Sequence, residues 1–277
     1  MKSYKHIILE KRDRIGIITL NRPEKLNALN QDGFRELYDA VKKVDQDSEM
    51  RVLVLKGAGR AFCAGADFKF SEVAAGKVKP QEAEEVREIF EAVDQGRFQH
   101  HIGAEAILAL HRLSKPSIAM VNGDAVGGGF DLALACDIRV GCPRTRFMVG
   151  YTRMAVIPDL GGVWFLPRIV GLGKALELIL TADFVSAEEA LKLGILNKLV
   201  PEEELEKATI ELAEKLAAGP PIALRLSKLL TYKSLEMDLE TSLHFLSACL
   251  SITVHSEDYL EAIKAFVEKR KPEFKGR

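Results

Sequence analysis

Two short runs rich in apolar and β-branched residues, Lys5 to Leu9 and Ile15 to Leu20, flank the turn-prone Lys11-Arg12-Asp13-Arg14, a pattern that predicts a hairpin. Asn30 then precedes Phe34, Leu37, Tyr38, Val41 and Val44, whose three- and four-residue spacing predicts an amphipathic helix. Val52 to Leu55 is apolar throughout and predicts a short buried strand. The order of strand, helix and strand returns with Ser117 to Val121, a helix after Gly129, and Ile138 to Val140, so the fold class is α/β. Between these units Pro80 to Leu113 is long, charged and helical in pattern, with Val86, Ile89, Phe90 and Val93 on one stripe, and is expected to lie as an insertion over a surface. From Ser186 onward the chain is almost wholly helical, with breaks at Pro201 and at Gly219-Pro220-Pro221. The expected organisation is an α/β body over residues 1–200 and a helical region over 201–277.

Composition narrows the function classes. With 277 residues, 47% of them hydrophobic, the chain can bury one substantial core without disulfides or metals to staple it. Its 39 basic and 40 acidic side chains leave no basic surplus of the kind that nucleic-acid binding uses. The four cysteines, Cys63, Cys136, Cys142 and Cys249, form no Cys-x-x-Cys pair and are expected as buried small hydrophobes in a reducing cytosol. The first ten residues lack the apolar run of a signal peptide, and no stretch reaches membrane-spanning length. A cytoplasmic protein with no metal, no membrane contact and no nucleic-acid partner is expected.

Several standard sites fail on particular residues. Gly57-Ala58-Gly59-Arg60-Ala61-Phe62 ends in phenylalanine where the dinucleotide fingerprint needs glycine, and Gly173-Lys174-Ala175 lacks the hydroxyl of a phosphate loop. Gly123-Asp124-Ala125-Val126-Gly127 has alanine where a nucleophile elbow needs serine. The pair His100-His101 stands outside any His-Glu-x-x-His pattern and reads as a solvated helix face.

Two small-residue turns remain. Ala61-Phe62-Cys63-Ala64-Gly65-Ala66-Asp67 leaves one strand, and Asn122-Gly123-Asp124-Ala125-Val126-Gly127-Gly128-Gly129 leaves another and enters a helix. Small residues let a ligand approach the main chain, and N–H groups at a helix start carry partial positive charge, so two such turns side by side would bind an anion.

Around these turns the sequence resembles the crotonase superfamily of enoyl-CoA hydratases and isomerases. The resemblance runs through Leu20-Asn21-Arg22-Pro23, Asn27-Ala28-Leu29, Cys63 to Asp67, Val121-Asn122-Gly123, Gly127 to Asp137, Ile157-Pro158-Asp159, Leu166-Pro167-Arg168 and Phe266 to Lys271. It implies a spiral of repeated ββα units with a C-terminal helical region that covers the active site or a neighbouring subunit, in a homotrimer or a dimer of trimers. It also implies an acyl-CoA substrate and no separate cofactor. Two backbone N–H groups of the family cup the thioester oxygen, and the matching positions are Ala66 and Gly128. Donors preorganised where negative charge develops are typically worth ~3 kcal/mol each. Coenzyme A contacts carry over to Lys25, Leu26, Ala64, Asp67 and Phe68, and to Phe266 and Lys269 of the last helix, with Tyr151 as a pocket wall or hydrogen-bond donor.

The sequence departs from the hydratase pattern at one carboxylate. Hydratases of the family clamp a water between two glutamates, and the matching positions hold Asp131 and Tyr151. A second carboxylate stands at Asp159, which matches the aspartate of the family's dienoyl-CoA isomerases, epoxide isomerases and aryl-CoA dehalogenases. The pattern therefore implies double-bond isomerisation ahead of hydration, with Asp159 as proton shuttle and Asp131 as its assistant. Two alternatives stay open: hydration between the two aspartates, and a catalytically silent scaffold for CoA or RNA. Asp159 also stands where an aspartate after proline commonly caps a helix, since Leu160-Gly161-Gly162 begins one. The stretch from residue 68 to 113 is longer than the usual family loop, and residues 70–104 are expected to act as a lid that selects acyl chains, with Phe70, Phe90 and Phe98 as candidate roof residues.

Overall fold

A computed structural model describes residues 4–67, 84 and 102–277. Phe68, most of the expected lid and the His100-His101 pair lie outside the described residues.

The hairpin forms as β1 (Ile7–Arg12) and β2 (Ile15–Leu20), antiparallel, with Asp13 at positive φ in the tight turn. From β2 the sheet continues parallel through β3 (Val52–Gly57), β4 (Ser117–Val121), β6 (Ile138–Gly141) and the short β9 (Lys198–Leu199). A second sheet, in the order β5-β7-β8, is built from β5 (Asp124–Val126), β7 (Arg146–Met148) and β8 (Val185–Ser186). The chain thus climbs as a spiral, each turn adding one strand to the large sheet, while β5 and β7 form a parallel pair in the small one.

The central strands carry near-continuous apolar runs, broken by Thr19, Lys56 and Ser117, because both faces of the sheet are covered. Ile18, Leu20, Leu53, Leu55, Ala119 and Val121 face one core, whereas Ile15, Ile17, Val52, Val54, Ile118 and Met120 face the other. The first core is closed by α1 (Gln31–Gln46), α2 (Ile102–His111), α3 (Gly128–Ala135), α4 (Gly162–Val170), α5 (Leu172–Thr181) and α6 (Ala187–Lys192). Asn30 starts α1 by accepting a hydrogen bond from Gly33 N at 2.9 Å.

Pro201 ends the mixed part of the chain, yet the next helix, α7 (Leu205–Ala217), belongs to the layers. Its Leu205, Ala208, Ile210 and Ala213 cover the second face of the large sheet. Beyond it α8 (Pro221–Ser234), α9 (Leu239–Val254) and α10 (Glu257–Glu268) expose much of their apolar surface. Among the described residues no helix is long and apolar enough to cross a membrane.

Candidate active site

The first small-residue turn is laid against the segment that follows β2. Ala64 N donates to Leu26 O at 2.9 Å, Leu29 N to Gly65 O at 2.8 Å, and Asp67 N to Leu29 O at 2.8 Å. Leu26, Ala64, Ala66 and Asp67 are thereby brought onto one ledge, with Lys25 exposed in the short turn Pro23–Lys25 at its end. Two buried asparagines lock the ledge. Asn27 donates to Ala58 O and Ala61 O, both at 2.8 Å, and Asn122 accepts from Gly57 N at 3.1 Å while donating to Gly59 O at 2.9 Å. Asp67 is held by Arg22 at 2.7 Å. The scaffolding roles of Arg22, Asn27 and Asn122 are fixed by partners up to 65 residues away, a separation that local spacing does not reveal.

The second turn crosses the first through Val126 N, which donates to Cys63 O at 2.9 Å. This crossing needs glycine at two points. Gly65 has φ +96°, and a Cβ there would lie 2.8 Å from Val126 O. A Cβ on Gly129 would lie 2.0 Å from Cys63 O, so helix α3 approaches the ledge only because no side chain stands between them. The point where a Cβ on Gly128 would sit is 3.8 Å from Ala66 N and 3.7 Å from Tyr151 Oη. Gly128 is the first residue of α3, so its N–H has no acceptor inside the helix. Among the described residues neither that N–H nor the Ala66 N–H donates to another backbone group. Two amides and one phenol therefore surround a common space.

Asp131, Tyr151 and Asp159 form one chain of contacts. Tyr151 Oη donates to Asp131 Oδ2 at 2.6 Å and is also hydrogen-bonded to Asp159. Asp131 is 1% exposed and accepts a further bond from Gly162 N at the start of α4. Burial pushes its pKa up to about 7 against the opposing pull of those two donors, and the neighbouring Asp159 adds to the rise. Burial likewise raises the Tyr151 phenol above its ordinary value, with Asp131 as the next cause, so it stays protonated and donates. Asp159 is half-buried and lines a cavity of about 730 Å³ between α2, α4 and α8.

The capping role open to Asp159 in the sequence is corrected here. Helix α4 begins at Gly162 with Gly161 in the N-cap position at φ +103°, and the carboxylate that meets its first N–H is Asp131. Phe266 and Lys269 stand exposed on α10, Phe266 at 86%, and the structure buries neither against the turns described above. The four cysteines are buried and unbridged, and among the described residues no group of His, Cys, Asp and Glu is placed to hold a metal.

Residues 10–277 match the sequence pattern of the family described as Enoyl-CoA hydratase/isomerase. The chain belongs to that family. The short-chain-enoyl-CoA hydratase of Clostridium acetobutylicum is 37% identical to it, with 98% of each chain covered. The 1,2-epoxyphenylacetyl-CoA isomerase of Escherichia coli is 34% identical over 94% of each. Among solved structures, enoyl-CoA hydratase from Bacillus anthracis superposes with a TM-score of 0.87 at 35% identity, covering 99% of this chain and 100% of that one. The resemblance to the crotonase superfamily and its α/β spiral is thus established. Relatives within this enoyl-CoA hydratase/isomerase family divide between hydratases and isomerases at similar identity.

Proposed function

We propose that the protein acts on an acyl-CoA thioester and shifts a double bond along its acyl chain. The supporting observation is the position of the Tyr151 phenol. In the family's hydratases a water is clamped between two carboxylates, whereas here a phenol bonded to both Asp131 and Asp159 stands between them. Asp131 is sealed behind that phenol, which leaves Asp159 as the carboxylate lining the cavity. One open carboxylate suits a reaction that takes a proton from one carbon and returns it to another.

In this reading the thioester oxygen lies between the Ala66 and Gly128 N–H groups. Asp159 removes a proton from the acyl chain, the electron pair spreads onto that oxygen as a dienolate, and the two amides stabilise the charge. The protonated Asp159 then returns the proton at the other end of the conjugated system, so no atom is gained or lost. The single proton of Tyr151 points at Asp131, so its oxygen is left to accept a hydrogen bond from Asp159 when that carboxyl carries the proton. In this reading Lys25, Leu26, Ala64 and Asp67, which share one ledge, border the CoA moiety, and the exposed Lys25 offers a point charge to a phosphate. No separate cofactor enters.

Hydration is the second reading, favoured by the named activity of relatives such as the C. acetobutylicum enzyme. Incubation with mixed enoyl-CoAs in deuterated water separates the two. Isomerisation adds no oxygen and raises the mass only by the deuterium exchanged into the acyl chain, whereas a product that has gained one water overturns the proposal.

The exposed apolar residues of the tail, including Leu239, Leu243, Leu260, Phe266 and Val267, support a homotrimer or a dimer of trimers in which the last helices of one copy meet another. Light scattering is expected to return a multiple of three chains, and a clean monomer would exclude the assembly. The unbridged cysteines suit a cytoplasmic setting.

A further inference from the structure

The cavity behind Asp159 has features that proton transfer does not use. At about 730 Å³ it falls in the range of pockets that enclose a drug-sized ligand, far more than a short alkyl chain fills. Its near end is set by Gly161, where a Cβ would lie 3.7 Å from Ile107 Cγ2. Its middle is aromatic: the His111 ring packs edge-on against Trp164, Phe165 and Tyr232 at 5.2, 5.3 and 4.6 Å. Burial lowers the pKa of His111, so this wall is uncharged at neutral pH.

The far end is cationic. Tyr232 meets His111, and Lys228 donates to Lys115 O at 3.0 Å, so α8 runs antiparallel to α2 and carries Arg225 past its C-terminal end. Arg225 and Tyr232, both on α8, are about 10 Å apart along that direction at the helical rise of 1.5 Å per residue. The cavity therefore spans from the carboxylate of Asp159 to a cluster of Arg112, Arg225 and Lys228. Lys228 is neutralised by Asp137 at 2.8 Å, and the neighbouring Lys233 by Glu236 at 3.3 Å. The half-buried Arg225 side chain makes no hydrogen bond or ion pair among the described residues, and neither does that of the exposed Arg112. A guanidinium withdrawn from water without an acceptor is costly, and its planar fork matches a carboxylate.

We propose that this cavity is the acyl pocket and that it selects acyl groups whose far end carries a carboxylate, bound by Arg225 with Arg112 beside it. The proposal rests on the reading of the protein as an acyl-CoA enzyme. It extends that reading to a substrate class: an acyl-CoA long enough to cross the aromatic wall and acidic at its tip.

Calorimetric titration of the whole protein with suberyl-CoA, octanoyl-CoA and free CoA tests it. The two acyl chains have the same length and differ in the terminal group. The wild-type protein is expected to bind suberyl-CoA about tenfold to a hundredfold more tightly than octanoyl-CoA, the worth of one charge-assisted contact. Arg225→Gln should bring that ratio close to one, and Arg225→Lys should restore part of it. Equal affinities in the wild type, or a preference for octanoyl-CoA, would overturn the proposal without any variant being needed. If Arg225→Gln weakens free CoA as much as suberyl-CoA, the arginine holds a CoA phosphate and the proposal fails. Turnover of 3-octenoyl-CoA tests the reaction separately. Loss of that activity with the binding preference intact removes the isomerase reading and leaves the pocket standing, whereas turnover with no preference does the reverse.

Discussion

The triple-glycine helix and the Pro158 turn each deliver an aspartate to the same phenol, yet the two carboxyls are left in opposite conditions. Asp131 sits inside α3, every residue of which is buried, and its oxygens are taken by Tyr151 and by the first N–H of α4. Asp159 projects from a turn between elements and lines a large cavity. Identical side chains twenty-eight residues apart are thus suited to different work: one holds a phenol and a helix in place, and the other faces the space where the proposed proton exchange would occur. The difference is one of solvation and partners rather than of chemistry.

Asp159→Asn should open the largest gap between the two. If Asp159 is the shuttle, kcat is expected to fall roughly 10²- to 10⁴-fold with KM little changed, and exchange of the acyl hydrogens with deuterated water should slow in step. Stability should move by no more than about 1 kcal/mol, because the residue caps no helix. Full activity in this variant would make Asp159 a wall residue.

Tyr151→Phe attacks the link between the two carboxyls. It leaves buried Asp131 without its phenol donor, which should cost about 1–3 kcal/mol in denaturant unfolding. Isomerisation should drop by about tenfold or more, while hydration should gain on it as water takes the place of the hydroxyl. An unchanged ratio of the two products would show that the phenol does not keep water out.

Asp131→Asn should lower kcat by less than about tenfold, in contrast to its partner. Its signature is in the pH dependence of stability. In the folded protein Asp131 keeps its proton up to about pH 7, while in the unfolded chain it releases it near the ordinary value of 3.8. Between these limits the unfolded chain binds fewer protons, so stability falls as pH rises, by at most about 1.4 kcal/mol per unit, and the contribution is level outside the window. Unfolding of the wild type and of Asp131→Asn at pH 4, 5.5 and 7, values chosen to span that window, should show the slope reduced in the variant. Equal slopes would place the buried proton elsewhere.

Lys25→Ala should have the smallest effect. The side chain is exposed on the ledge, away from both aspartates, and its loss should raise KM by roughly two- to fivefold with kcat unchanged.

Much of this molecule was legible along the chain. The strands declared themselves because a sheet covered on both faces favours unbroken apolar runs, as in Val52 to Leu55 and Ile118 to Val121. Asn30 marked the start of α1 through a bond only three residues long. The two small-residue turns were equally visible, since a backbone crossing as close as that of Gly129 over Cys63 excludes every side chain. The turn to a helical chain after Pro201 is legible in the sequence, but α7 beyond it is part of the sheet's cover, because its apolar stripe does not say which surface it will meet.

What sequence alone determined, then, was whatever depends on neighbours in the chain: alternation, caps, turns and the motifs that place the family. Tertiary structure decided the rest. Asp131 and Tyr151 are twenty residues apart and meet at 2.6 Å only because α3 and the turn after β7 pack together. Arg225 and Asp159 face one cavity only because α8 folds back along α2. Proton affinity and the demand for a charge partner are set by the water that packing removes, and that removal is a property of the assembled layers.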